Sequence, residues 1–256
     1  MQIDLKNTKT VLTGLIGIAY AGMFFPLIIS NITLAALLGY CLIHVSLREI
    51  VDTVRKNSFS KLCIVIYVLQ IIGLTYTTNY STGFFMLEKK ITLLLIPVLL
   101  LPMLQKTDLD LKSLLRLIGM ITILSSLILL LIAGFNLLVH NDRDAFYFEK
   151  VTSIHYVYYS IYFACGSLFL IDVAFDDYGK TKYGFVVVIT LFLYALGMLV
   201  LIASKTGMMA FGLVSIIVLY KRIRNKKMYA LALLLLVFAG TAFCISMKPH
   251  AVGSTD

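Results

Sequence analysis

The sequence predicts an all-α fold, a polytopic transmembrane bundle of about nine spans, and three observations predict it. Apolar segments close to membrane length recur along the whole chain, 60% of the 256 residues are hydrophobic against 14% charged, and basic residues alternate in density from one connection to the next. A mean hydropathy of +0.95 exceeds what a water-soluble core can bury, so the surplus apolar surface needs lipid. The segments are too long for strands and lack period-2 alternation, which argues against a barrel. No second domain, repeat or low-complexity linker is visible, so residues 1–256 are expected to form a single transmembrane domain.

The predicted spans run from Val11 to Ile29, Ile32 to Leu47, Leu62 to Tyr76, Phe84 to Leu104, Leu114 to Leu138, Ile154 to Phe175, Gly184 to Ala203, Gly207 to Tyr220 and Met228 to Ser246. The first contains Ala19-Tyr20-Ala21, superficially a signal-peptidase site, but the apolar run continues past it, which reads as a signal anchor. Within that span Thr13, Gly17 and Ala21 recur every fourth residue and form a small-residue groove for a neighbouring helix. The second, third and eighth spans are short and are expected to tilt, to thin the bilayer at their ends or to be partly re-entrant. Pro97 and Pro102 kink the fourth.

Charge sets the orientation. With the N-terminus cytoplasmic, the inner connections carry Lys6 and Lys9; Arg48, Arg55, Lys56 and Lys61; Lys106, Lys112 and Arg116; Lys180 and Lys182; and Lys221, Arg222, Arg224, Lys226 and Lys227. Only Lys89, Lys90, Arg143, Lys150, Lys205 and Lys248 of the 22 basic residues remain for the outer side. That is the excess expected of cytoplasmic loops, and adding or losing one span midway would put the cluster Lys221 to Lys227 on the wrong face. The net charge of +9 is spread over these connections and makes no basic face for nucleic acid. Cys41, Cys63, Cys165 and Cys244 all lie within apolar runs at no metal-ligand spacing, and read as packing residues.

Polar residues at the outer edge are the ones orientation leaves unexplained. Glu88-Lys89-Lys90 interrupts the fourth span, where long side chains snorkel to the interface or bind an anionic headgroup. The loop His140-Asn141-Asp142-Arg143-Asp144 is a mixed-charge segment of a kind usually solvated, with Arg143 available to a polar substrate. At the start of the sixth span His155, Tyr159 and Tyr162 fall at i, i+4 and i+7, beside Tyr156 and Tyr158. Tyrosines there form an aromatic belt, whereas the histidine adds a donor and an acceptor suited to a sugar. No second histidine or carboxylate stands at ligand spacing, so no metal is expected.

Ser204-Lys205-Thr206-Gly207 breaks two apolar runs with a lysine between hydroxyls at the start of a helix. A Walker loop is excluded because its glycine order is missing. A simple outer turn with one solvated lysine is the plain reading. A lysine at a helix N-terminus in the headgroup zone also stabilises a lipid-linked phosphate.

The stretch from Phe85 to Pro97, with Leu87-Glu88-Lys89 followed by Leu93-Leu94-Leu95-Ile96-Pro97, resembles the LE-K-x-x-LLL-x-P helix of bacterial O-antigen ligase and O-antigen polymerase-like membrane proteins. His155 to Ser160 resembles that family's H-x-x-Y span start, and Ser204 to Gly207 its S-R/K-x-G break, with lysine where arginine is commoner. Order and spacing match from about Phe84 to Tyr220.

The resemblance implies a C-type glycosyltransferase of the bacterial inner membrane, active in lipopolysaccharide or cell-surface polysaccharide biosynthesis. Such an enzyme moves a glycan from a polyprenyl-diphosphate carrier to a lipid or glycan acceptor at the periplasmic face, among membrane lipids and without nucleic acid, metal or cofactor. By the same analogy Lys205, with Arg143 or Lys89, neutralises the diphosphate, and Glu88 holds those cations or the acceptor; His155 and Tyr159, by their own ring faces and polar groups, are the residues suited to contact sugar. The family also carries a large outer loop with a catalytic histidine, followed by further spans. No residue here aligns with that base, His250 included, and these residues are therefore expected to be the N-terminal portion of such an enzyme, either as a fragment or as a truncated product without activity of its own. Ionisable groups sparing the middle of the spans weigh against the alternatives, a small transporter or lipid-carrier flippase. An inactive membrane subunit stays open beside them.

Overall fold

The computed structural model describes residues 5–141, 146, 155–178, 182–202 and 204–222. Among them every regular element is a helix. Four are long and apolar enough to cross a bilayer, Leu27–His44, Ser58–Tyr76, Leu111–His140 and Tyr156–Asp177, and two shorter apolar stretches, Ile91–Thr107 and Val186–Leu201, accompany them. The ninth predicted span lies outside the described residues. The chain divides into two compact units, one comprising the residues up to Ala19 with Asn31–Asp110, the other Tyr20–Ser30 with the chain from Leu111 onward.

The first two predicted spans are separated at Pro26 rather than at Ser30-Asn31. Helix α1 (Leu5–Gly22) loosens at its end, where Met23, Phe24 and Phe25 donate to the carbonyls three residues back. Pro26 has no N–H to continue the ladder, and its carbonyl instead starts α2 (Leu27–His44) by accepting from Ile29.

In the first unit the connection read as a basic loop folds as α3 (Leu47–Lys56). Ser46 caps it: the Ser46 hydroxyl accepts from the Glu49 N–H, and the Glu49 carboxylate accepts from the Ser46 N–H at 2.7 Å, a reciprocal capping box. Asn57 then ends α3 in an extended conformation and caps α4 (Ser58–Gly73), its side-chain oxygen accepting from Phe59 and Ser60. A 3₁₀ turn, Leu74–Tyr76, prolongs α4.

The predicted fourth span is broken rather than kinked. It comprises α5 (Tyr80–Lys89), α6 (Ile91–Leu95), a π-helical turn over Ile96–Leu100 and α7 (Leu101–Thr107). Pro97 and Pro102 each delete a donor to the carbonyl four residues back, and the wider turn between them is how the helix absorbs both losses. The Pro97 carbonyl accepts from Ser60 of α4 at 3.3 Å. Asp108 ends α7 in the left-handed region, with φ 44° and ψ 54°, and its carbonyl accepts from Lys9 of α1 at 2.9 Å.

The second unit is organised on α9 (Tyr156–Tyr178), which packs against α8 (Leu111–His140), α10 (Lys182–Leu201) and α11 (Lys205–Arg222). Small residues bring α8 and α9 together. A Cβ at Gly119 would lie 3.0 Å from the backbone N and Cα of Leu170, and one at Gly166 would lie 2.6 Å from the Tyr20 hydroxyl. That hydroxyl donates to the Tyr162 carbonyl at 2.9 Å and lies 3.1 Å from the Thr122 hydroxyl. At one end of the pair Asp177 of α9 receives both Lys112 and Arg116 of α8, each at 2.6 Å. Cys41 and Cys63 are buried as predicted, whereas Cys165 is on the exposed side of α9.

Candidate functional site

The end of the second unit opposite the Asp177 ion pairs is built from the first turns of α9 and α11. Ser204 precedes α11, and its hydroxyl oxygen accepts from the Gly207 N–H at 3.2 Å. The same oxygen lies 2.7 Å from the Ser160 hydroxyl of α9, which is also 2.7 Å from the Val157 carbonyl. The Ser160 hydroxyl is the donor in this group, its single proton shared between the Ser204 oxygen and the Val157 carbonyl, while Ser204 accepts from both Ser160 and the Gly207 N–H. Gly207 makes this contact possible, because a Cβ there would lie 2.5 Å from the Ser160 Cβ.

This chain of hydroxyls draws two segments singled out in the sequence, His155 to Ser160 and Ser204 to Gly207, into one place. Lys205 is the first residue of α11 and is exposed, and no carboxylate pairs with it among the described residues. Its ammonium and the positive end of the helix dipole therefore act at the same end of α11. His155 lies just before α9, exposed, with its ring stacked on Tyr156 at 4.4 Å between centroids. Its Nδ1 accepts from the Val157 N–H at 3.4 Å, which leaves Nε2 to carry the proton of the neutral ring.

Tyr159 departs from the expectation of a shared face with His155. It is 0% exposed, set edge-on to Phe24 with centroids 5.5 Å apart and stacked on Phe163 at 6.5 Å. The physical reason is that α9 begins after His155, so the histidine is off the helical register, while the tyrosine turns into the core. Tyr159 supports the site from beneath and offers no ring to solvent.

Glu88 and Lys89 belong to the first unit, both exposed in the last turn of α5. The expected pairing of Glu88 with Lys89 is not made among the described residues. The Lys89 ammonium sits over the Phe85 ring, 4.1 Å from its centroid, and no ion pair to Glu88 occurs among the described residues. A shallow cavity of about 350 Å³ opens beside this helix, with Gln70, Thr77, Thr82 and Lys90 among its lining. Arg143 and His250 lie outside the described residues.

Sequence reasoning passed over Ser160 and the pair Tyr20 and Thr122. A serine in an apolar helix carries no signal of its partner, and Tyr20 bonds residues more than a hundred positions away. Only Ser204, as the residue before a new helix, is legible as a cap. No family model, no curated protein and no solved structure matches this chain.

Proposed function

We propose that the chain is a membrane glycosyltransferase of the O-antigen ligase or polymerase type, crossing the bacterial inner membrane nine times with its N-terminus cytoplasmic. It transfers a glycan from a polyprenyl diphosphate to an acceptor at the periplasmic face. The observation that carries this reading is Lys205, exposed and unpaired by any carboxylate among the described residues, at the N-terminus of α11, whose first turn is joined to that of α9 through Ser204 and Ser160. As the glycosyl bond breaks, negative charge grows on the bridging phosphate oxygen, and an ammonium at the positive end of a helix stabilises that charge more in the transition state than in the ground state. The Ser160 and Ser204 chain holds the first turn of α11 in position, and His155 Nε2–H is free to donate to a sugar hydroxyl.

The test is glycan transfer from a polyprenyl-diphosphate donor in membranes containing the full-length protein. Lys205→Ala is expected to slow transfer by on the order of 10²-fold, and Lys205→Arg to retain most of it. An unchanged rate in Lys205→Ala would remove the basis of the reading. So would labelling of Lys205→Cys by an impermeant maleimide from the cytoplasmic side only.

A further inference from the structure

Helix α3 has a constrained location. It is separated from α2 by two residues and from α4 by the single residue Asn57, and both neighbours are long and apolar enough to cross a bilayer. Ten residues of α-helix extend about 15 Å, too short to cross hydrocarbon. A short helix leashed this tightly between two spans lies at headgroup depth.

Its faces are divided to match. Thr53 is buried and donates to Gln105 of α7 at 3.2 Å, and Glu49 pairs with Lys106 of α7 at 3.0 Å, so this side is fixed to the protein. Lys106 also donates to the His44 carbonyl at 2.9 Å, tying the end of α2 to the same place. The side turned away carries Leu47, 82% exposed, and Val51, 47% exposed. Arg48 and Arg55, seven residues apart, lie along the flank of this apolar strip, and neither has an ion pair among the described residues. Lys56 and Lys61 extend the basic edge toward α4. Apolar side chains bordered by unpaired cations are the pattern of a helix seated in an anionic membrane surface, aliphatic groups among the acyl chains and guanidinium groups at phosphate level.

We infer that α3 is an interfacial helix that binds anionic phospholipid headgroups through Arg48 and Arg55, with Leu47 and Val51 inserted beside them. The capping box and the Glu49–Lys106 pair fix the helix, so the backbone that presents the two arginines two turns apart is set without waiting for lipid to order it. The inference is independent of the proposed glycan transfer, because it concerns only the lipid around the first unit.

The experiment uses the full chain in nanodiscs of phosphatidylcholine containing phosphatidylglycerol as the anionic probe. Native mass spectrometry of the released protein should show phosphatidylglycerol enriched over its bulk fraction. Each surface cation contributes about fivefold to such binding, so the double variant Arg48→Gln/Arg55→Gln should lose most of the enrichment, while Arg48→Lys/Arg55→Lys should keep it. Spin labels at Val51→Cys and Asp52→Cys, in a background without the native cysteines, should report oxygen-rich acyl surroundings for the first and water for the second. Equal water exposure at both positions, or enrichment indifferent to the arginine-to-glutamine changes, would overturn the inference. Protection of Val51→Cys that depends on a second copy or another protein instead of lipid would overturn it as well.

Discussion

Helix α9 of the second unit and helix α4 of the first are both apolar enough to cross a bilayer and have opposite surroundings. Over α9, 56% of the most apolar stretch is buried by other helices, and over α4 only 17%. Yet α9 is the less apolar of the two. Half of its buried positions are small, Ser160, Ala164, Gly166, Ser167 and Ala174, whereas α4 turns Leu62, Val65, Leu69 and Ile72 outward. In a water-soluble protein the correlation would run the other way. With lipid as the solvent, the outermost side chains are the most apolar, and close contact between helices depends on residues small enough to let backbones meet.

That contrast can be broken most forcefully at α4. Val65→Asp puts a charge on a face that this account turns to lipid, near the middle of the helix, and is expected to cost about 3 kcal/mol of insertion free energy. A glycosylation-mapping insertion assay reads it directly, and unimpaired insertion would mean that α4 faces water or protein. Next in size is Gly119→Val, which drives a side chain into the backbone of α9 at Leu170. A loss of about 1–3 kcal/mol in unfolding from mixed micelles is expected. Gly134→Val on the same helix has nothing within 4 Å and serves as the matched comparison, since helix propensity changes equally in both. Equal effects at Gly119 and Gly134 would refute the close crossing.

The smallest effect belongs to the polar edge of the first unit. The Glu49 carboxyl is held below the usual carboxylate range, first by the Ser46 N–H and then by Lys106. A group with a lowered folded pKa adds stability above its unfolded pKa and loses it as pH falls through the folded value. The melting gap between the parent chain and Glu49→Gln should therefore be present at neutral pH and close on acidification below the ordinary carboxylate range. The Glu49 side chain is 38% exposed, which keeps the gap under about 1 kcal/mol. A gap that persists unchanged at pH 3 would show that the ionised pair is not its source.

Much of this organisation was visible in single residues. Gly207 and Ser204 marked a helix start, and the apolar runs marked where α4, α8 and α9 lie. The division between α1 and α2 was also marked, by Pro26, but a run that stays apolar on both sides of a proline conceals it. The break of the fourth segment was half visible: two prolines predict lost hydrogen bonds, but not that the helix rewinds as a π turn with the Pro97 carbonyl accepting from Ser60 of α4. The amphipathic α3 was concealed because its arginines and lysines had already been explained by orientation.

By itself the sequence determined the helical class and the positions of the principal apolar segments. Those properties follow from local composition, from the length of a bilayer and from residues within one turn of each other. Tertiary structure alone decided that Ser160 meets Ser204, that Tyr159 turns inward while His155 and Lys205 remain outside, and that the Lys89 ammonium rests on Phe85 instead of Glu88. Each of these depends on which helix stands beside which and how closely glycine lets them approach, and neither quantity is encoded within the reach of a single helical turn.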